Sequence, residues 1–289
     1  MRPVARWHPY ALLLPTALCL GAFVLVPVLL SFVMSLFAWD LLTPPVWVGL
    51  GNYRAIARGG LLGTLTTTLT YSILVVVGTT SLGLALALLL HRPGRWFAFV
   101  RSSVFSAYVV SWVSVALLWL WLLDPDNGLV SSLLRRMHLP RVGFLTDPST
   151  ALPTLAAVTV WKLTGYAMVL FTAGLDGVPR PLLEAAALDG ANAWQRFRYV
   201  TWPCLGPTAA FVGTTSLIVS FQAFDVVRIM TQGGPVKATT LFVYAIYEQV
   251  FLDLRAGRAS ALTVVFFVVL LGLSLLQLRA WRAAGGPRA

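Results

Sequence analysis

A single charged side chain, Lys162, lies inside the apolar runs of this chain, near the middle of the stretch Ala151–Leu175. An unpaired charge at the centre of a bilayer costs about 3 kcal/mol or more, so this ammonium must face protein or a water-filled cavity. Two uses are open to it. It can bind backbone carbonyls, or an acid of a paired subunit, within a helix bundle. Alternatively, it can donate to the hydroxyls or phosphate of a solute in a pathway. A second group, Phe221, Gln222, Phe224 and Asp225, closes another apolar run. Ring faces beside polar groups suit a sugar, although aromatics at a membrane boundary also act as plain anchors. A third stretch, EAAALDGANAWQRF from Glu184 to Phe197, is alanine-rich and polar between two oily runs.

Other chemistries lack their residues. The three histidines, His8, His91 and His138, are isolated, and Cys19 and Cys204 stand far apart, so neither a metal site nor a disulfide framework is indicated. A phosphate-binding loop needs a Gly-Lys-Ser/Thr ending, whereas the two lysines here follow Trp161 and Val236. The chain therefore has no means of hydrolysing ATP by that route. Ion-coupled carriers place carboxylates inside the membrane, and none of the spans below contains Asp or Glu. No cluster of titratable groups suggests a membrane enzyme. Uphill movement of a solute would need energy from a partner. A stand-alone secondary transporter or channel for a small polar solute is the competing reading.

The elements that must position these groups are apolar. Of the 289 residues 58% are hydrophobic and only 11% charged, so lipid is the solvent. Six runs are long enough to cross a bilayer: Tyr10–Trp39, Leu65–Leu90, Ser102–Leu123, Ala151–Leu175, Leu205–Phe224 and Ala259–Leu278. The first is too long for a signal peptide and lacks a cleavage site before Asp40, so it is expected to remain as a span. The whole chain, 1–289, is expected to form one all-α, multi-pass domain. Six spans place both termini on one face. With that face cytoplasmic, eleven Lys and Arg lie inside against nine outside, and Lys162 completes the 21. The net charge of +11 is scattered in ones and twos. It suits a membrane surface and gives no stripe for nucleic acid.

Between the fourth and fifth spans lies a loop, 176–204. Pro179-Arg180-Pro181 is a helix start with Pro181 in the first turn. Glu184 is expected early enough to complement the helix dipole. Asp189-Gly190 ends that helix, and Asn192 with Gln195 forms a capping box for a second. Trp194, Phe197 and Tyr199 add apolar contacts, and Pro203 and Pro207 lead into the fifth span. The spacing predicts two short helices joined at a glycine turn. They form either a plain interfacial hairpin or a low-profile surface for another protein's groove.

Glu184-Ala185-Ala186, Asp189-Gly190-Ala191, Phe197, Trp202-Pro203, Leu205 and Pro207 resemble the EAA motif of ABC importer permeases. The Asp-Gly-Ala continuation is similar to the carbohydrate-uptake branch that includes maltose and glycerol-3-phosphate importers. Val48-Gly49-Leu50-Gly51-Asn52-Tyr53 and Thr231-Gln232-Gly233-Gly234-Pro235 are similar to further segments of that branch, and the resemblance covers nearly the whole chain. Trp202 departs from it, since leucine is more usual before that proline. The resemblance implies a six-span type I importer permease with cytoplasmic termini in a bacterial inner membrane. It would pair with a second, homologous permease, an ATPase dimer and an extracytoplasmic substrate-binding protein. The chain itself would carry no cofactor, with ATP and Mg held by the ATPase. By the same carry-over Glu184, Ala185, Ala186, Asp189, Gly190, Ala191, Phe197 and Pro203 couple to the ATPase. Glu184 would meet a basic group there, and Gly190 would set the angle between the helices.

Overall fold

A computed structural model describes residues 8–283, so Arg2, Arg6 and Arg288, and with them the placement of both chain ends, lie outside the described residues. In chain order the elements are α1 (His8–Leu20), α2 (Val26–Met34), β1 (Phe37–Ala38), β2 (Val46–Trp47), α3 (Gly51–Arg58), α4 (Leu61–Leu90), α5 (Arg95–Val109), α6 (Trp112–Leu122), α7 (Leu129–Arg136), α8 (Pro148–Asp176), α9 (Arg180–Leu188), α10 (Ala193–Arg196), α11 (Trp202–Cys204), α12 (Gly206–Phe221), α13 (Asp225–Met230), α14 (Phe242–Tyr247) and α15 (Ala256–Ala283). Single π-helical turns join α1 to α2, α10 to α11 and α14 to the loop before α15.

Four straight runs, Leu13–Met34, Leu61–Leu90, Pro148–Asp176 and Ala256–Gln277, are long and apolar enough to cross a bilayer. Two further apolar helix pairs, each sharply bent, are candidates for the remaining spans. The third is α5 plus α6, turned by 100° at Val110-Ser111, and the fifth is α12, reached through a 65° bend from Ala193–Cys204. The predicted spans therefore survive as elements with shifted edges. The first stops at Met34 rather than Trp39, because Phe37 and Ala38 pair antiparallel with Trp47 and Val46.

The chain forms two compact units. Of the described residues, one comprises 8–62 with 245–268. Within it, the buried Asn52 donates from Nδ2 to the Ser35 carbonyl at 2.9 Å and the Phe37 carbonyl at 2.8 Å. Tyr53 Oη donates to Ser35 Oγ at 2.8 Å. The Gly49-to-Tyr53 stretch thus satisfies the carbonyls released where the first span unwinds. Asn52→Ala leaves two carbonyls without this donor and is expected to cost about 1–3 kcal/mol. A melting temperature of the purified protein within a degree of wild type would refute that assignment.

The other unit comprises, of the described residues, 63–244 with 269–283. Its apolar centre joins Ala87 and Leu90 of α4, Ala167, Met168 and Phe171 of α8, and Leu205 and Val212 at the fifth span. Tyr71 Oη and Thr159 Oγ1 share a hydrogen bond of 2.7 Å across α4 and α8. Polar groups hold the helix ends. Arg101 donates to the Leu90 carbonyl at 2.6 Å, setting a cation at the C-terminal end of α4. Asp147 caps α8 by accepting from the Ser149 hydroxyl and N–H, which hold its carboxyl below the usual range. His91 Nε2 and Asp176 Oδ1 lie 3.7 Å apart, placing the 91–94 turn and the start of the 176–204 loop at the same end of this unit.

Candidate functional site

Two sites take shape within the second unit. The loop after α8 follows the expected helix–turn–helix. Pro179 is the N-cap of α9, with Pro181 in the first turn. At the other end the Ala191 N–H reaches the Ala186 carbonyl at 3.0 Å and the Gly190 N–H reaches the Ala187 carbonyl at 3.1 Å. This pair of bonds is a Schellman closure, and it needs a left-handed residue, which Gly190 provides at φ +81°. Asn192 then opens α10 with a full capping box: Gln195 N–H donates to Asn192 Oδ1 at 2.9 Å, and Asn192 N–H to Gln195 Oε1 at 2.8 Å.

The exposed face of this loop is apolar to an extent that water does not favour. Leu188 is 89% exposed, Tyr199 75% and Trp194 67%. Glu184, Ala185, Asp189 and Pro203 are also exposed, whereas Ala186, Ala191 and Phe197 are half-buried. The ring of Phe197 lies 5.7 Å from that of Trp194 and 6.3 Å from that of Trp202. Trp202, the departure from the usual sequence, thus extends an aromatic row. One expectation changes. Glu184 lies in the second turn of α9, which has no acid in its first turn. Its effect on the helix dipole is therefore small, because that effect fades beyond the first turn.

The second site is the break in the third span. Gly165 of α8 brings α5 close: a Cβ there would meet the Val104 carbonyl and the Phe105 Cα. One helical turn earlier on the same face is Lys162, 2% exposed. Its Nζ donates to the carbonyls of Ala107 at 3.2 Å, Tyr108 at 3.0 Å, and Val110. These carbonyls belong to the last turn of α5 and the residue after it, where no further helical N–H is available. The ammonium also lies 4.9 Å from the ring centre of Trp112 and 5.9 Å from that of Tyr108. Lys162 thus meets backbone carbonyls, the first of the two uses open to it, and it also lines the first of the cavities below.

Around this break lie three cavities that share walls. The first, about 540 Å³, is lined by Phe105, Tyr108, Ser111, Trp112, Lys162 and Asp225 among others. A second, about 270 Å³, shares Trp112 and Asp225 and adds Gln222 and Phe224. The third, about 230 Å³, shares Tyr108 with the first and Val219 with the second, and adds Tyr166 and Thr215. The rings of Tyr108 and Tyr166 stack at 4.9 Å. The structure thus gathers Gln222, Phe224, Asp225 and Lys162 along one ring-lined trough. Phe221 is not part of it: the side chain is fully buried as packing. Tyr108, Trp112 and Tyr166 were missed by the sequence reading, because their convergence depends on the break and on α5–α8 packing.

Comparison with known proteins gives a consistent picture. The family described as binding-protein-dependent transport system inner membrane component matches residues 79–283. The chain is 34% identical to the inner membrane ABC transporter permease protein YcjO of Escherichia coli, covering 93% of this chain and 92% of that one. It is 33% identical to the sn-glycerol-3-phosphate transport system permease protein UgpA of Agrobacterium fabrum, over 81% and 80%. Among solved structures, a chain of a bacterial ABC transporter involved in import of the acidic polysaccharide alginate superposes with a TM-score of 0.82 at 25% identity, covering 96% of each chain.

Proposed function

We propose, for a chain that belongs to the family of binding-protein-dependent transport system inner membrane components, that it forms one half of the solute pathway of an ATP-driven sugar importer. The observation that carries this reading is the loop from Arg180 to Cys204. Two short helices, fixed at their junction by a Schellman closure and a capping box, present Leu188, Trp194 and Tyr199 to the outside. Such a rigid projection with unburied rings suits docking into a groove of another subunit. That subunit is an ATPase, which holds ATP and Mg and whose closure moves α9 and α10. The bend between α11 and α12 passes the movement to the fifth span. The Asp225 end of that span leads to the trough beside the broken third span. A second permease completes the pathway, and a soluble or lipid-anchored binding protein delivers solute from the opposite face. In this arrangement the loop faces the cytoplasm, and the chain itself performs no hydrolysis.

The sugar class is supported by two names, that of UgpA, an sn-glycerol-3-phosphate transport system permease, and that of the transporter involved in import of the polysaccharide alginate. It is also supported by the trough itself, where stacked tyrosines, Trp112 and Phe224 offer ring faces beside Gln222 and Asp225. Aromatic faces take the C–H surface of a sugar, and amide and carboxylate take its hydroxyls.

Mild-detergent purification of the tagged chain from its native membrane, followed by mass spectrometry, tests the assembly. An ATPase and a second permease with its own EAA loop are expected to co-purify, the second permease in near-equal amount. Recovery of the chain only with itself would return a stand-alone carrier or channel to first place.

A further inference from the structure

Within the first unit, a cavity of about 290 Å³ lies between the turn after the first span and the start of α15. Asp40, Thr43, Asn52, Arg255 and Arg258 supply its polar lining. Three of these are already committed. Asp40 Oδ1 accepts from the Leu42 N–H at 3.0 Å, the Thr43 N–H at 2.7 Å and the Thr43 hydroxyl at 2.8 Å. Both N–H groups of the Asn52 amide go to the carbonyls of Ser35 and Phe37. The arginines differ. Among the described residues, neither guanidinium has an ion pair or a hydrogen bond. Asp253, close by in sequence, does not line the cavity and accepts from Gln249 Nε2 at 2.7 Å. The two cations also stand where they cost stability. Three positions apart, they share one side of the helix start, where like charges repel. Arg258 lies in the first turn of α15, which holds no acid, and a cation there opposes the helix dipole. With two guanidiniums against one carboxylate, the lining has an excess of positive charge. An entering carboxylate would meet two forks of N–H donors, each able to hold both of its oxygens, and would relieve both costs. The rim is the exposed turn 41–46, beyond the end of the first span and within reach of a soluble protein.

We infer that the Arg255–Arg258 cavity is a docking socket for an acidic side chain of the solute-binding protein. In chain order Asp40 follows the first span and Arg255 precedes the sixth. Six spans with cytoplasmic termini put both on the face from which the binding protein delivers solute. The inference rests on the importer reading above and adds a specific contact to it.

The test uses the assembled importer in nanodiscs and the solute-binding protein of the source organism that stimulates its ATP hydrolysis. The affinity between the two is measured at low and high salt. Arg255→Gln with Arg258→Gln is expected to weaken binding about tenfold or more at low salt and to flatten the salt dependence. The melting temperature of that double variant is expected at or above wild type, since two opposed cations are removed. Asp40→Asn keeps an acceptor for the turn but removes the competing carboxylate, so it should tighten binding about twofold or more. Surface acids of the binding protein, changed singly to Arg and scanned against Arg258→Glu, should include one that restores most of the affinity. Unchanged affinity in the double variant, a lowered melting temperature that tracks the loss, or no restoring acid in the scan overturns the inference and leaves the importer standing. A dependence of uptake on anionic lipid that vanishes in the double variant, with affinity unchanged, would assign the socket to a lipid phosphate instead. If no binding protein stimulates ATP hydrolysis, the importer reading itself fails and this inference falls with it.

Discussion

Lys162→Met is expected to destabilise the purified protein by about 3 kcal/mol or more. The substitution keeps length and apolar stem while removing the donor shared by three carbonyls at the break in the third span. Each buried polar group left without a partner costs about 1–3 kcal/mol. The contact with the Trp112 ring adds a further contribution of about 1 kcal/mol. Methionine avoids the desolvation of a buried charge, which offsets part of the loss and keeps the figure near the lower end of the sum. A drop of roughly 5–10 °C in melting temperature is expected for a chain of this size, measured in detergent without solute. Lys162→Arg keeps the charge but spreads its donors over a planar fork, so it should recover only part of the drop. A methionine variant with wild-type melting temperature and an altered solute preference would reverse the assignment and make Lys162 a donor in the path.

Gly190→Leu is expected to abolish at least nine-tenths of ATP-driven uptake while leaving insertion and yield near wild type. Nothing lies within 4 Å of where a Cβ would sit, so crowding is not the cause. The cause is the backbone: φ of +81° is left-handed, and a bulky side chain there costs about 1–2 kcal/mol. A loop at the surface can shed that strain by opening the Schellman closure, which swings α9 away from α10. The docking surface is then lost although the spans remain intact. Asparagine tolerates the left-handed region, so Gly190→Asn should keep most of the activity. Solute-stimulated ATP hydrolysis at the wild-type rate in Gly190→Leu would show that the turn angle does not matter for coupling.

The sequence was most informative where structure is local. The proline, glycine and Asn192–Gln195 signals of the 176–204 loop each depend on residues within a turn of one another, and each appears as expected. Hydropathy located the four long apolar helices and the two bent helix pairs for the same reason. The break at Val110-Ser111 was not legible, because neither Pro nor Gly marks it and the flanking residues are as apolar as those of a straight helix. It is stabilised from 52 residues away by Lys162, a contact that no window of sequence contains. Phe221 and Phe224 illustrate the same limit. Three positions apart at the end of one helix, they looked equivalent, yet packing buries the first and turns the second toward a cavity.

The carbonyl cradle at that break has a consequence for the medium in which the importer works. Three converging carbonyl oxygens are the kind of ligand set that elsewhere coordinates sodium or potassium. Had the cradle been filled from solution, its occupancy, and with it the geometry of the break, would vary with external salt. Here the cation is attached by a four-carbon stem and cannot diffuse away, so its effective concentration is set by the tether alone. The cation that braces the break therefore stays in place in dilute and saline surroundings alike.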